Sequence, residues 1–115
     1  MMARTTQQVF QAHLSAVQSG DIQQVIADYA DDALLMTVDG AFVGKDAIQN
    51  FFINQFNSHP IIKASIDHSC MEKDTLMVEW SAESDGDRLP QAVDTYIIQG
   101  GKIARHTTWF RWAHK

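Results

Sequence analysis

Residues 75–83 read Thr-Leu-Met-Val-Glu-Trp-Ser-Ala-Glu, with Leu76, Val78, Trp80 and Ala82 on one alternation phase. This period of two is typical of a strand in a sheet with two unlike faces. The segments that continue the pattern are 61–70, 91–98 and 102–112. Turn-forming clusters at 84–87 and 99–102 separate the last three strands, so the second half of the chain predicts an antiparallel meander.

The first half of the chain predicts three helices and a hairpin. The elements are helices at about 5–19, 21–30 and 45–57 and strands at 33–38 and 41–43. Thr5-x-x-Gln8 has the form of a capping box, and Asp39-Gly40 indicates a tight hairpin. Asp31 and Asp32 fit a turn. Helices followed by a meander indicate an α+β fold, with the helices on one face of an antiparallel sheet.

Composition narrows the class of protein further. The 115 residues are 45% hydrophobic and 20% charged, which is ordinary globular usage and predicts one domain over residues 1–115. No run of 18 apolar residues occurs, so no membrane span is expected. The net charge of -5 and nine scattered Lys and Arg residues argue against nucleic acid. A polar N-terminus and one cysteine, Cys70, predict a cytoplasmic protein without an internal disulfide, and Cys70 reads as a small buried hydrophobe.

Five short motifs, in order, span nearly the whole chain. They are Ser19-Gly20-Asp21, Tyr29-Ala30-Asp31-Asp32-Ala33, Gly44-Lys45-Asp46-Ala47-Ile48-Gln49-Asn50-Phe51-Phe52, Val93-Asp94-Thr95-Tyr96 and Gly101-Lys102-Ile103. With them the chain resembles the nuclear transport factor 2-like superfamily, and within it the SnoaL-like polyketide cyclase and ketosteroid isomerase-like branches. The resemblance implies a curved antiparallel or mixed sheet wrapped around the three helices as a cone, with a pocket at the open end.

The same resemblance implies site residues. Ketosteroid isomerases use a carboxylate base and an oxyanion hole built from a tyrosine and a protonated aspartic acid. Here the oxyanion-hole aspartate falls on Asp94, the tyrosine on His13 and the base on Thr37. Ala92 stands where limonene epoxide hydrolase-like members carry an arginine, so epoxide hydrolysis by their mechanism is not expected. Histidines in the pocket, as in scytalone dehydratase-like members, keep dehydration open.

Asp94 and His106 are the main candidates for chemistry. Burial of Asp94 in an apolar cone would raise its pKa, so that it could donate a hydrogen bond. A three-residue loop over Gln99–Gly101, with Gly101 left-handed, would set Asp94 opposite His106. A two-residue Gly100-Gly101 loop would instead set Asp94 opposite Thr107 and turn His106 to the other face. The family resemblance favours the first register.

The predicted pocket therefore has two groups of residues. Asp94, His106 and His13 are candidate catalytic groups, although His13 and His106 could equally be wall or strand residues without a catalytic role. Candidate ligand-binding residues are Tyr29, Thr37, Phe52, Trp80, Tyr96, Thr108, Phe110 and Trp112. The five histidines lack metal-ligand spacing, so neither a metal site nor a cofactor is predicted.

Three functions remain open from the sequence. The first is an enzyme that isomerises, cyclises or dehydrates a small hydrophobic carbonyl or hydroxyl compound by proton transfer, which the three candidate catalytic groups favour. The second is a cone that binds such a molecule without chemistry, and the third is an association module; the missing base at Thr37 favours these two. A homodimer is also predicted through the convex sheet face, formed by Met77, Glu79, Ser81, Thr107 and Trp109.

Overall fold

The computed structural model of the chain describes residues 3–60 and 62–115. The predicted strand start at Ile61 lies outside these residues, as do Met1 and Met2. The elements are α1 (Thr6–Ser19), α2 (Ile22–Ala27), β1 (Tyr29–Thr37), β2 (Gly40–Val43), α3 (Lys45–Ser58), β3 (Lys63–Glu72), β4 (Thr75–Ser84), β5 (Asp87–Gln99), β6 (Lys102–Phe110) and β7 (Ala113–His114). The predicted α+β class, with three helices in the first half, is confirmed.

The helix starts follow the capping chemistry of the sequence. Thr5 and Gln8 form the predicted capping box, with each side chain accepting a hydrogen bond from the other's backbone N–H. Gly20 ends α1 in the left-handed conformation, with a φ of 73°. Asp21 then caps α2 by accepting from the backbone N–H groups of Gln23 and Gln24.

The second helix is shorter than predicted. It ends at Ala27, and Tyr29 begins β1, where it pairs with Ile103 of β6. The backbone carbonyl of Asp28 accepts from the N–H of Ile103 at 2.8 Å, so a contact between distant segments replaces the next helical turn. Asp31 and Asp32, predicted as turn residues, consequently lie in β1, although both are exposed.

The sheet is mixed and runs in the order β2-β1-β6-β5-β4-β3, with β7 paired to β5. The pair β1–β6 is parallel, and the other described pairs are antiparallel. Irregularities interrupt the β1–β6, β3–β4, β4–β5 and β5–β6 ladders. Bulges bend strands and increase their twist, which lets this sheet curve around α1 and α3.

Two strand boundaries differ from the prediction because of local irregularities. β5 begins at Asp87 rather than at residue 91, since a bulge opposite Ser81 accommodates Pro90, which cannot donate to the ladder. A second bulge, at Asp67, breaks the strict alternation between Ile66 and His68. The exposed His68 lies opposite Glu79, and its side chain pairs with the Glu79 carboxylate. β6 ends at Phe110 rather than at residue 112.

The turn between β5 and β6 settles the register of Asp94. The loop has two residues, because Gln99 pairs with Lys102, and Gly100 and Gly101 have φ values of 59° and 77°. The predicted three-residue loop is therefore wrong, although Gly101 is left-handed as predicted. Ala104 is an extra, unpaired residue in β6 and forms a bulge. The bulge sets Asp94 opposite Thr108, so that Asp94 and His106 lie on the same face of the sheet, as predicted.

The main core lies between the helices and the concave face of the sheet. Its fully buried members include Val9, Val25, Leu35, Ile48 and Ile103. The convex face exposes Met77 and Trp109, whereas Cys70 on β3 is exposed rather than buried as predicted. Among the described residues, no helix has the length and apolar character that crossing a membrane requires.

Candidate functional site

A largely apolar cavity lies between the concave face of the sheet and helices α1 and α3. Its volume is about 90 Å³, whereas one water needs only about 10–15 Å³ by the same measure, so the cavity has room for several waters or a small organic molecule. Predicted residues on its wall are His13, Phe52, Trp80, Asp94, Tyr96, His106, Thr108, Phe110 and Trp112.

Asp94 is the centre of a hydrogen-bonded cluster on this wall. Its Oδ1 accepts from Trp80 Nε1 at 2.9 Å and from Thr108 Oγ1 at 2.6 Å. Its Oδ2 accepts from the Tyr96 hydroxyl at 3.0 Å and pairs with His106 Nε2 at 2.8 Å. The four partners come from β4, β5 and β6, which the register of the sheet brings together.

These four donors determine the charge of Asp94. Burial alone would raise its pKa, but the hydrogen bond from His106, followed by those from Thr108 and Trp80, holds the pKa below its ordinary value. Trp80 Nε1 and Thr108 Oγ1 donate to Oδ1 and the Tyr96 hydroxyl donates to Oδ2, and hydrogen bonds donated to the charged form of a carboxyl favour that form. Asp94 is therefore a carboxylate, and the prediction of a protonated oxyanion-hole donor is wrong.

His106 is fixed at both ring nitrogens. Nε2 must carry a proton, because the carboxylate of Asp94 can only accept. Nδ1 lies 2.8 Å from the hydroxyl of Tyr29, which is fully buried and has this nitrogen as its partner. The ring also stacks on Tyr96, with centroids 4.1 Å apart. The prediction that Asp94 and His106 share the concave face is confirmed, and they are in direct contact.

His13 contributes a polar atom without a partner. The side chain projects from α1 and packs edge-on against Tyr29, Phe52, Tyr96 and His106, with centroids 5.4–6.0 Å apart. Its Nδ1 is buried and has no hydrogen-bond partner within the described part of the chain. Burial lowers the pKa of His13 from 6.5 to about 3, against an opposing effect of the Asp94 carboxylate. The ring is therefore neutral, with one donor and one acceptor nitrogen.

A second cluster, which the sequence analysis missed, surrounds Trp112 of the cavity wall. Trp112 stacks on His59 with centroids 3.9 Å apart, and His59 Nε2 lies 3.1 Å from Asp87 Oδ2. Asp87 Oδ1 also pairs with His114 Nδ1 at 2.8 Å. These contacts join the end of α3 to β5 and the C-terminal residues, and they position Trp112 on the cavity wall.

The chain is similar in sequence and in fold to known proteins. The sequence profile described as the SnoaL-like domain matches residues 10–106, which is most of the chain. The chain belongs to the SnoaL-like family. This family lies in the nuclear transport factor 2-like superfamily, as the sequence motifs indicate. Among curated proteins, none matches the sequence significantly.

Solved structures of several described activities share the fold of this SnoaL-like chain. A proposed polyketide cyclase from Sinorhizobium meliloti is 17% identical, with a TM-score of 0.79 over 88% of this chain and 93% of that one. A proposed ketosteroid isomerase from Kribbella flavida DSM 17836 is 14% identical, with a TM-score of 0.79 and coverages of 96% and 80%. An LEH-like epoxide hydrolase from M. tuberculosis is 16% identical, with a TM-score of 0.72 and coverages of 90% and 80%. Such identities show the fold alone.

Two predicted ligand-binding residues of the SnoaL-like chain do not line the cavity. Thr37 lies in the hairpin, where its hydroxyl accepts from the backbone N–H of Asp39 at 3.0 Å. The hairpin loop is Val38-Asp39 rather than Asp39-Gly40, so Thr37 ends β1. Tyr29 stands behind the wall, where it contacts the wall residues His106, His13 and Phe52.

Several wall residues were not predicted, although a signal for them existed. Phe51 and Phe56 lie on the apolar stripe of α3, and Gln55 completes the same wall. The helical spacing marked the two phenylalanines, but nothing distinguished wall from core. No group of three or more His, Cys, Asp or Glu that could hold a metal occurs in residues 3–60 and 62–115.

Proposed function

We propose that this cavity binds a small, largely apolar molecule with a carbonyl or hydroxyl oxygen, and that this oxygen meets His13. The observation that carries the proposal is His13, a neutral polar side chain on a wall that is otherwise mostly apolar, whose Nδ1 has no hydrogen-bond partner among the described residues. Ligand sites typically combine apolar walls with a few polar groups that orient the ligand.

The chemistry of the neutral His13 ring supports a ligand oxygen at this position, since the ring lines the cavity. Neutral imidazole can donate to a carbonyl oxygen or accept from a hydroxyl, depending on its tautomer. By contrast, both ring nitrogens of His106 and both oxygens of Asp94 already have partners.

The test is a thermal-shift screen of steroid-like, polyketide-like and terpenoid compounds, followed by calorimetry on the hits. Each hit is compared with an analogue that lacks the oxygen, and we expect the analogue to bind about tenfold more weakly. His13→Leu should remove that difference. The matched control is His68→Leu, because His68 is exposed on β3 and lies outside the cavity wall.

Two results would overturn this proposal. One is that no compound in the screen raises the unfolding temperature. The other is that the oxygen-free analogues bind as well as the parent compounds to the unmodified protein. Loss of the oxygen preference in His68→Leu as well as in His13→Leu would also refute the assignment to His13.

Proton transfer to or from the bound molecule is a second candidate function, giving isomerisation, cyclisation or dehydration. It is favoured by the buried ionised Asp94 beside His106, since strongly perturbed groups in cavities often take part in catalysis. In such a reaction His13 would donate to the carbonyl oxygen while Asp94 takes a proton from the adjacent carbon, which leaves an enolate. That enolate would recover a proton at the same or another carbon.

Solvent deuterium exchange tests this second function without knowledge of the product. A carbonyl hit is incubated with the protein in heavy water, and exchange next to the carbonyl is followed by NMR. We expect Asp94→Asn to slow the exchange by about 10²–10³, while His68→Leu leaves it unchanged. A bound hit that exchanges no faster than in buffer would leave binding as the function and refute proton transfer.

A further inference from the structure

The cavity wall carries a single formal charge. Of the described residues that line it, Asp94 alone has an acidic side chain, and none is a lysine or an arginine. Asp94 is 5% exposed, so its charge acts inside the cavity rather than in bulk solvent. The net charge of the site therefore depends on the two histidines that line the same wall.

Hydrogen bonding defines His106 as neutral. The Tyr29 hydroxyl is fully buried, and its one partner among the described residues is His106 Nδ1. If that nitrogen carried a proton, the Tyr29 oxygen would accept it and the buried Tyr29 hydrogen would have no acceptor among the described residues. The hydroxyl therefore donates to Nδ1, while Nε2 donates to Asp94.

His13 is neutral as well, because it is 3% exposed and pairs with no carboxylate. The wall then holds one negative charge that four hydrogen bonds stabilise and no cation neutralises. Coulomb interactions weaken with distance, but they are several times stronger in such an enclosed site than in water.

We infer that Asp94 makes the cavity selective for ligand charge, so that it accepts uncharged or cationic molecules and excludes carboxylates and phosphates of the same shape. This inference rests on the proposed function and narrows its ligand class. An anion would lose its hydration and face the Asp94 carboxylate without a compensating cation. A cation would also lose hydration, but it would meet Asp94 and the faces of Trp80, Phe110 and Trp112.

The test uses three probes with one ring system: 2-naphthylmethanol, 2-naphthylmethylamine and 2-naphthoate. At about pH 7.5 they are neutral, cationic and anionic respectively. Calorimetry on the wild-type chain should show that the carboxylate binds at least about tenfold more weakly than the alcohol. The amine should bind at least as well as the alcohol.

Variants identify the source of the discrimination. Asp94→Asn should narrow the gap in affinity between the alcohol and the carboxylate. Asp32→Asn makes the same change in net charge at an exposed site on β1 and should leave that affinity gap unchanged. Gln55→Lys adds a cation to the wall at a half-buried helix position and should also narrow the gap. This variant keeps the electrostatic argument testable if Asp94→Asn does not fold.

The outcomes separate this inference from the proposed function. Equal affinity for the alcohol and the carboxylate would overturn charge selectivity and leave ligand binding standing. A gap that persists in Asp94→Asn, or that Asp32→Asn narrows equally, would overturn the assignment to Asp94. A gap unchanged in Gln55→Lys would overturn the electrostatic explanation. Absence of binding by all three probes and by every compound of the wider screen would overturn both proposals.

Discussion

Burial of His13 makes the stability of this fold depend on pH. Its pKa is about 3 in the folded chain, against 6.5 for an unperturbed histidine, mainly because the ring is buried. Between these values the unfolded chain binds a proton that the folded chain does not. The stabilisation is therefore complete above 6.5 and is lost progressively as the pH falls towards 3.

The magnitude follows from the two pKa values. One pKa unit corresponds to about 1.36 kcal/mol, so the full effect is about 5 kcal/mol, of which about 2–3 kcal/mol is lost between pH 7.5 and 4.5. A chain of this length is stabilised by only about 6–17 kcal/mol in total. The lowered pKa of Asp94 acts in the same direction but below its ordinary value of 3.8, so it lies outside this window.

Urea unfolding of wild type, His13→Leu and His68→Leu at several pH values between about 4.5 and 7.5 measures the effect. We expect the free energy of unfolding of wild type and His68→Leu to fall together, and that of His13→Leu to fall by about 2–3 kcal/mol less. At neutral pH His13→Leu should be no less stable than wild type, since it removes an unpartnered buried nitrogen. If His13→Leu loses as much stability with acid as wild type, the reasoning is refuted.

Three further changes test the site and the sheet. Asp94→Ala leaves three buried donors and the half-buried Trp80 indole without an acceptor, so it should cost about 3 kcal/mol or more in urea unfolding, against about 1 kcal/mol for Thr108→Val. Equal losses would contradict a shared acceptor. Gly101→Ala should cost more than Gly100→Ala, because only at Gly101 would a Cβ lie 3.1 Å from a backbone nitrogen, so identical losses would refute that contact. We propose that two copies pair through the convex face, where Trp109 is 41% exposed, and that Trp109→Lys separates them. Light scattering that gives a 12.9 kDa particle for the wild type at tens of micromolar would refute the dimer.

Elements with one dominant periodicity could be predicted from the sequence. The strand predicted at 75–83 is Thr75–Ser84, and the third helix, predicted at 45–57, is Lys45–Ser58. In both, local propensity and the buried face agree, and consistency of this kind makes local patterns reliable. The cone itself follows because each helix presents an apolar stripe and the sheet presents one buried face.

The second helix shows where local pattern is insufficient. Tyr29 continues the apolar spacing of Val25 and Ile26, and it fits the start of a strand equally well. The choice is made by Asp28 and its distant partners: its carbonyl accepts from Ile103, and its carboxylate pairs with Arg4 at 3.0 Å. Neither contact has a local signature in the sequence.

The register of the last hairpin failed for a related reason. The Gly100-Gly101 pair suits a two-residue loop with both φ values positive, and that loop alone would place His106 on the convex face. One extra residue in β6, Ala104, reverses the outcome. Alanine carries no signal for a bulge, so only the packed sheet reveals that Asp94 and His106 share a face.

The charge of Asp94 also depends on contacts between separate strands. It decides which of the two proposed functions the geometry supports better. Burial predicted a protonated acid, but donors from β4, β5 and β6 stabilise the carboxylate instead. Those donors also occupy both oxygens and weaken Asp94 as a base, so proton transfer requires a substrate to displace one of them. Binding requires only that a ligand enter the cavity and that its oxygen reach the ring of His13 on the wall. Ligand binding is therefore the function that this geometry supports first, and proton transfer is an additional property that depends on it.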